Sequence, residues 1–190
     1  MTLLATDGYG SHIPTIETTY PLIGHSNALE FGCGLCSTPW LLDHYEHITS
    51  VETNLDWIDK TEKALTPEQK SKWTPLVMEH ERDFFYKYLR FFDLILVDGY
   101  DIGLRRGLAQ ICLSMEMSSA IVIHDSERPG FHYDEMMIPP GWIMIRVEYG
   151  IPWTSVFSNN ALIAKALLEK FHCTVCDTTN GLRKIPYSYK

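Results

Sequence analysis

The chain has 190 residues, 45% of them hydrophobic, and carries 24 acidic side chains against 16 Lys and Arg for a formal net charge of -8. That length and a mean hydropathy of -0.10 describe one ordinary globular domain with a full core. The acidic balance argues against a nucleic-acid backbone as the main partner, because such affinity rests on clustered cations.

Residues 1–26 hold Gly8, Gly10, Pro14, Pro21 and Gly24 without apolar periodicity and read as a loop-rich lead-in. The chain then alternates. A strand over 28–31 runs through a glycine turn into a helix over about 38–45, and a strand over 48–52 follows. Asn54 is placed to cap a helix over 55–65, with Trp57, Ile58, Ala64 and Leu65 as its apolar face. A third strand is expected at 76–79, then the aromatic segment 84–89. The continuous apolar run at 93–97 is a buried strand, a helix over 104–116 comes next, and 120–123 is the fifth strand. Residues 142–149 and 153–158 are strands whose short Gly150-Ile151-Pro152 connection implies antiparallel pairing. The last helix, 160–171, places Leu162, Ile163, Ala166, Leu167 and Phe171 at helical spacing. This order predicts a doubly wound, mostly parallel Rossmann-like α/β sheet ending in an antiparallel hairpin.

Three strand ends carry polar signals. Glu30-Phe31-Gly32-Cys33-Gly34 puts an acid and a Gly-x-Gly turn between the first strand and a helix, where main-chain N–H groups can approach a ligand. Glu52 closes the second strand, and Asp98-Gly99 closes the fourth. Carboxylates and glycine turns in register describe a ligand crevice at the carboxyl edge of the sheet. Glu52 also suits a helix start, where the macrodipole favours a carboxylate. A dinucleotide fingerprint would ask for a third small residue, Gly or Ala, where Ser37 stands.

Over residues 27–158 the pattern resembles the class I S-adenosylmethionine-dependent methyltransferases, whose seven-stranded sheet ends in such a hairpin. The resemblance implies S-adenosylmethionine as cofactor, with Glu30, Gly32, Cys33 and Gly34 in the glycine-rich loop near its methionine moiety. Glu52 matches the family acid that binds the ribose, since two carboxylate oxygens can accept from both hydroxyls. Glu81 or Asp83 falls where the adenine amino group is usually met, and Asp98 completes the cofactor set. The domain is drawn as 27–172, preceded by the lead-in 1–26 and followed by a tail, 173–190.

Asp98, His124 and Asp125 are the candidate catalytic residues. Methyl transfer needs alignment of acceptor, methyl and sulfur, and removal of the acceptor's proton. His124 suits a general base, or a structural contact to nearby backbone. Alternatively, Asp98 and Asp125 could hold a hard divalent cation, as the metal-dependent sugar and catechol O-methyltransferases do, with Glu127 or Asp101 as a further ligand; no metal ligand is assigned and a cation is not favoured. No Asn/Asp-Pro-Pro-Tyr/Phe stretch follows the fourth strand, which speaks against nucleic-acid base methylation. The loop 127–141 could cover a small acceptor. The expected activity is therefore methylation of a small molecule at a hydroxyl; the alternative is a non-catalytic nucleotide-binding module.

Five cysteines fit a reducing compartment. The CxxC spacings Cys33–Cys36 and Cys173–Cys176 could supply four thiolates, yet Cys33 is committed to the glycine turn, so free thiols rather than zinc are expected. The compact basic pairs, Arg105-Arg106 and Arg183-Lys184, read as solvated faces. Apolar runs are too short and interrupted for a membrane span, and no leader pattern is evident, so a cytoplasmic protein without a membrane partner is expected. A homo-oligomer, with Tyr187 and Tyr189 reaching a neighbour's pocket, is compatible with the short chain.

Overall fold

The computed structural model describes residues 10–99, 102–127, 133, 136–149, 151–177 and 183–186, of which 102–103, 176–177 and 183–186 are described by backbone alone. The strands are β1 (Asn27–Phe31), β2 (His47–Glu52), β3 (Trp73–Val77), β4 (Phe92–Val97), β5 (Ser118–His124), β6 (Ile143–Val147), β7 (Thr154–Ser158), β8 (Cys173–Asp177) and β9 (Arg183–Pro186). They form one sheet in the order β3-β2-β1-β4-β5-β7-β6-β8-β9. β3, β2, β1, β4 and β5 pair parallel with one another, and every pairing from β5–β7 onward is antiparallel. The predicted hairpin is present as β6 and β7, with β7 inserted between β5 and β6.

Alternation along the strands divides the core into two layers. Ala28 of β1 and Leu94 and Leu96 of β4 face one layer, which is closed by α1 (Ile13–Thr19), α2 (Ser37–His44), α3 (Leu55–Ala64) and α7 (Ala161–Lys170). Leu29, Phe31, Ile95 and Val97 face the other, closed by α5 (Phe84–Lys87) and α6 (Ile102–Ser114). Helix boundaries follow local chemistry. Asn54 caps α3 by accepting from Asp56 N at 2.9 Å, as expected. Thr66 and Gln69 form a reciprocal capping box on α4 (Pro67–Ser71).

Three segments differ from the sequence reading. The third strand lies at Trp73–Val77 rather than 76–79. Pro75 sits within it because β3 is an edge strand, where a missing N–H is tolerated; Trp73, buried against β2, anchors it. Within the lead-in, residues 13–19 form α1, which packs on α7, with Ile16 buried in the layer it shares with that helix. Its pattern is too short for periodicity to register. From the tail, β8 pairs along β6 and extends the sheet beyond the hairpin. Tyr187 and Tyr189 lie outside the described residues. No helix among the described residues is long and apolar enough to cross a membrane.

Candidate functional site

The glycine turn is a close approach of backbones. Gly32 has φ +88, and its N–H bonds Val51 O at 2.8 Å, one residue beyond the β1 ladder. A Cβ there would lie 2.6 Å from both the Asp98 carbonyl oxygen and Gly99 Cα, so only glycine fits the conformation and the space. A Cβ on Gly99 would run into the Glu81 carboxylate. The ends of β1 and β4 and the short helical turn Glu81–Asp83 are therefore packed against one another. Glu30 stabilises this turn from below. It is fully buried, and its Oε2 accepts from Thr38 Oγ1 at 2.7 Å and Ser50 Oγ at 2.8 Å. Thr38 Oγ1 in turn accepts from Gly34 N at 2.9 Å. Burial pushes the Glu30 carboxyl up to about 7, against the pull of the Ser37, Thr38 and Ser50 hydroxyls.

Glu52 is buried at the end of β2. Its Oε1 accepts from Thr53 N at 2.8 Å and Asn54 N at 2.9 Å, while Cys33 Sγ lies 4.0 Å from Oε2. One oxygen is thus tied to the chain's own amides. The Cys33 thiol is pushed up to about 12, chiefly by burial, so it is a protonated spacer in the turn. Next to Glu52 in sequence, Thr53–Asp56 and Val77–Glu79 line an open cleft of about 490 Å³ at the carboxyl ends of β2 and β3.

A second cluster sits at the ends of β4 and β5. Asp98 Oδ1 lies 3.1 Å from His124 Nδ1 and 3.1 Å from the Arg105 guanidinium. Arg105 is only 5% exposed. It reaches Asp125 Oδ2 at 2.7 Å and donates to the carbonyls of Gly99, His124 and Asp98. Burial alone would raise the Asp98 carboxyl, but the His124 hydrogen bond and the charges of His124, His12 and Arg105 outweigh it and hold it below the usual carboxylate range. Asp125 has φ +59, a left-handed conformation that a non-glycine residue adopts under local constraint. Ser11 Oγ lies 2.9 Å from His124 Nε2 and donates to Pro152 O at 2.9 Å. His12 packs edge-on to His124 with ring centroids 4.6 Å apart; its imidazole is lowered to about 4, first by burial and then by His124.

No family model matches the chain, and no curated protein matches it. Solved structures do. An inferred O-methyltransferase of Klebsiella pneumoniae superposes with a TM-score of 0.62 at 16% identity, covering 83% of this chain and 81% of that one. The O-methyltransferase TomG of Streptomyces achromogenes, solved with SAM, gives 0.60 at 13% identity over 82% and 81%. An rRNA methylase of Streptococcus thermophilus gives 0.57 at 11% identity over 77% and 94%. The chain has the class I methyltransferase fold.

Within that fold, the turn residues Glu30, Gly32, Cys33 and Gly34 come together with Asp98 and Glu81 around one backbone contact, and Asp98, His124 and Asp125 meet through Arg105. Glu52 stands at the next strand end. Glu127, considered as a metal ligand, instead accepts from Trp153 N at 2.8 Å, and Asp101 lies outside the described residues. The reading of Arg105 as part of a solvated face is overturned: its guanidinium is buried between two carboxylates. The run Arg105-Arg106 carried no signal for this, because the partners lie at the ends of β4 and β5. Ser11 and His12 were equally invisible, since 113 residues separate Ser11 from His124. Cys33 and Cys173 are buried free thiols, and Cys176 is described by backbone alone.

Proposed function

We propose that the chain is an S-adenosylmethionine-dependent methyltransferase acting on a hydroxyl of a small-molecule acceptor. The observation that carries this reading is the meeting of a glycine-only turn with the Asp98–His124–Arg105 cluster at one sheet edge. The donor set suits the cofactor. A backbone-lined turn before α2, whose N-terminus has no side-chain cap, suits a carboxylate. Oε2 of Glu52 suits a ribose hydroxyl, and the cleft between 53–56 and 77–79 suits a base. When bound, S-adenosylmethionine supplies a methyl group on a sulfonium.

The chain's own residues then have two tasks. Asp98, with 22% of its side chain exposed, accepts a hydrogen bond from the acceptor hydroxyl and orients its oxygen. As that oxygen becomes an ether, its proton passes to the Asp98–His124 pair, and Arg105 holds the two aspartates in place. A small molecule is favoured over RNA by the net charge of -8 and by the burial of Arg105, which removes half of one compact basic pair from the surface. The test is transfer of a labelled methyl group to a panel of hydroxylated small molecules. Asp98→Asn should cut transfer by about a hundredfold or more while leaving cofactor affinity within a few fold. A wild type that binds the cofactor yet methylates nothing in such a panel supports the non-catalytic module instead.

A further inference from the structure

The least explained group in the molecule is His12. It is 1% exposed, and neither ring nitrogen has a hydrogen-bond partner among the described residues. Buried polar atoms are ordinarily paired, so an unpaired imidazole aimed into a charged cluster asks for a ligand. One donor atom each from His12, Asp98 and His124 lies within 4.8 Å of the others. These residues come from three parts of the chain, the segment before α1, the end of β4 and the end of β5. We propose that His12, Asp98 and His124 form a binding site for a divalent transition metal at the acceptor side of the crevice.

The hydrogen bonds around His124 argue for a cation there. Ser11 spends its hydroxyl proton on Pro152 O, so His124 Nε2–H donates to Ser11 Oγ. That leaves Nδ1 facing the Asp98 carboxylate at 3.1 Å, where a proton or a metal ion must sit between two electron-rich atoms. A hydroxyl that fixes one ring nitrogen as donor while the other faces the metal is a recurrent way of orienting a histidine ligand. The charges agree. Arg105 is shared by Asp98 and Asp125, so two carboxylates oppose one guanidinium and one negative charge is left for the ion. Two imidazoles and one carboxylate favour zinc, cobalt, nickel or iron over magnesium, which prefers oxygen donors. Ligands at about 2.1 Å stand roughly 3.4 Å apart in a tetrahedron, so Asp98 and His124, 3.1 Å apart, would open slightly while the wider separations, within 4.8 Å, would close. Three protein ligands leave a position open for water or another oxygen; that this oxygen is the acceptor hydroxyl rests on the function proposed above.

The test titrates chelator-treated full-length protein with Co²⁺, read by visible d–d absorption, and with Zn²⁺ by calorimetry. One equivalent should bind, with affinity lowered at least about tenfold in His12→Gln and in Asp98→Asn, and unchanged within about twofold in Cys173→Ser. X-ray absorption on the zinc-loaded wild type should report two imidazoles and no sulfur, which needs no variant to fold. Absence of saturable one-to-one binding, sulfur in the coordination shell, or undiminished binding by folded His12→Gln would each overturn the site. Calorimetry with S-adenosylhomocysteine on the same protein separates the claims. Metal binding without nucleoside binding keeps the site and removes the methyltransferase reading; the reverse removes only the site.

Discussion

Glu30 is the carboxylate whose chemistry burial alters most plainly at this site. Its carboxyl rises from an ordinary 4.5 to about 7 because the cost of burial outweighs the hydrogen bonds from Ser37, Thr38 and Ser50. The folded state therefore binds a proton more tightly than the unfolded chain. Linkage then makes stability fall as pH rises from about 4.5 to about 7 and level off above; the gap corresponds to about 3 kcal/mol. Glu30→Gln keeps an oxygen for Thr38 and Ser50 and removes the charge. Its melting temperature should match wild type near pH 5 and exceed it near pH 8, and equal pH profiles would show that Glu30 titrates as it does in water. Gly32→Ala acts at the opposite face of the same turn. With φ +88 and backbone atoms at 2.6 Å, an added methyl should cost about 2–5 kcal/mol in urea denaturation, and it should weaken nucleoside binding even where the variant stays folded.

At the scale of elements, the site is supported from both sheet faces by unequal means. α6 carries Arg105 inward from its first turns, while its buried residues Leu108, Ala109, Cys112 and Leu113 hold it on the sheet. α1 does the same for Ser11 and His12, which immediately precede it. Its anchor is Ile16, fully buried in the layer shared with α7. Ile16→Ala should cost about 2–5 kcal/mol and, by loosening the segment that carries His12, lower cobalt affinity along with stability. A variant with wild-type stability would mean that α1 is only lightly docked. Strand identity was legible for β1, β2, β4 and β5, since long apolar runs bounded by acids and glycines have few alternatives. β3 was displaced because its first residues, Trp73 to Pro75, take their order from pairing along β2 at a sheet edge rather than from their own pattern. α1 and β8 were missed because short elements gain their order from tertiary packing rather than from their own pattern.

Across the whole molecule, the strand order and the crevice at its carboxyl edge follow from the alternation of elements and from three acids at strand ends. The turn residues 30–34 and the acids 52 and 98 could be read because their spacing is local to one strand–loop–helix unit each. What ties Asp98, His124 and Asp125 together is not local. Arg105 meets its carboxylates through the sheet order, and Ser11 and His12 reach His124 across nearly the whole chain. No periodicity encodes such contacts. The central claim concerns the ligand of this crevice, and calorimetric titration with S-adenosylhomocysteine and with NAD addresses it most directly. The account predicts one-to-one binding of S-adenosylhomocysteine in the micromolar range, weakened by about 2–3 kcal/mol in Glu52→Ala, and no comparable heat from NAD. Saturable NAD binding without S-adenosylhomocysteine binding would contradict it.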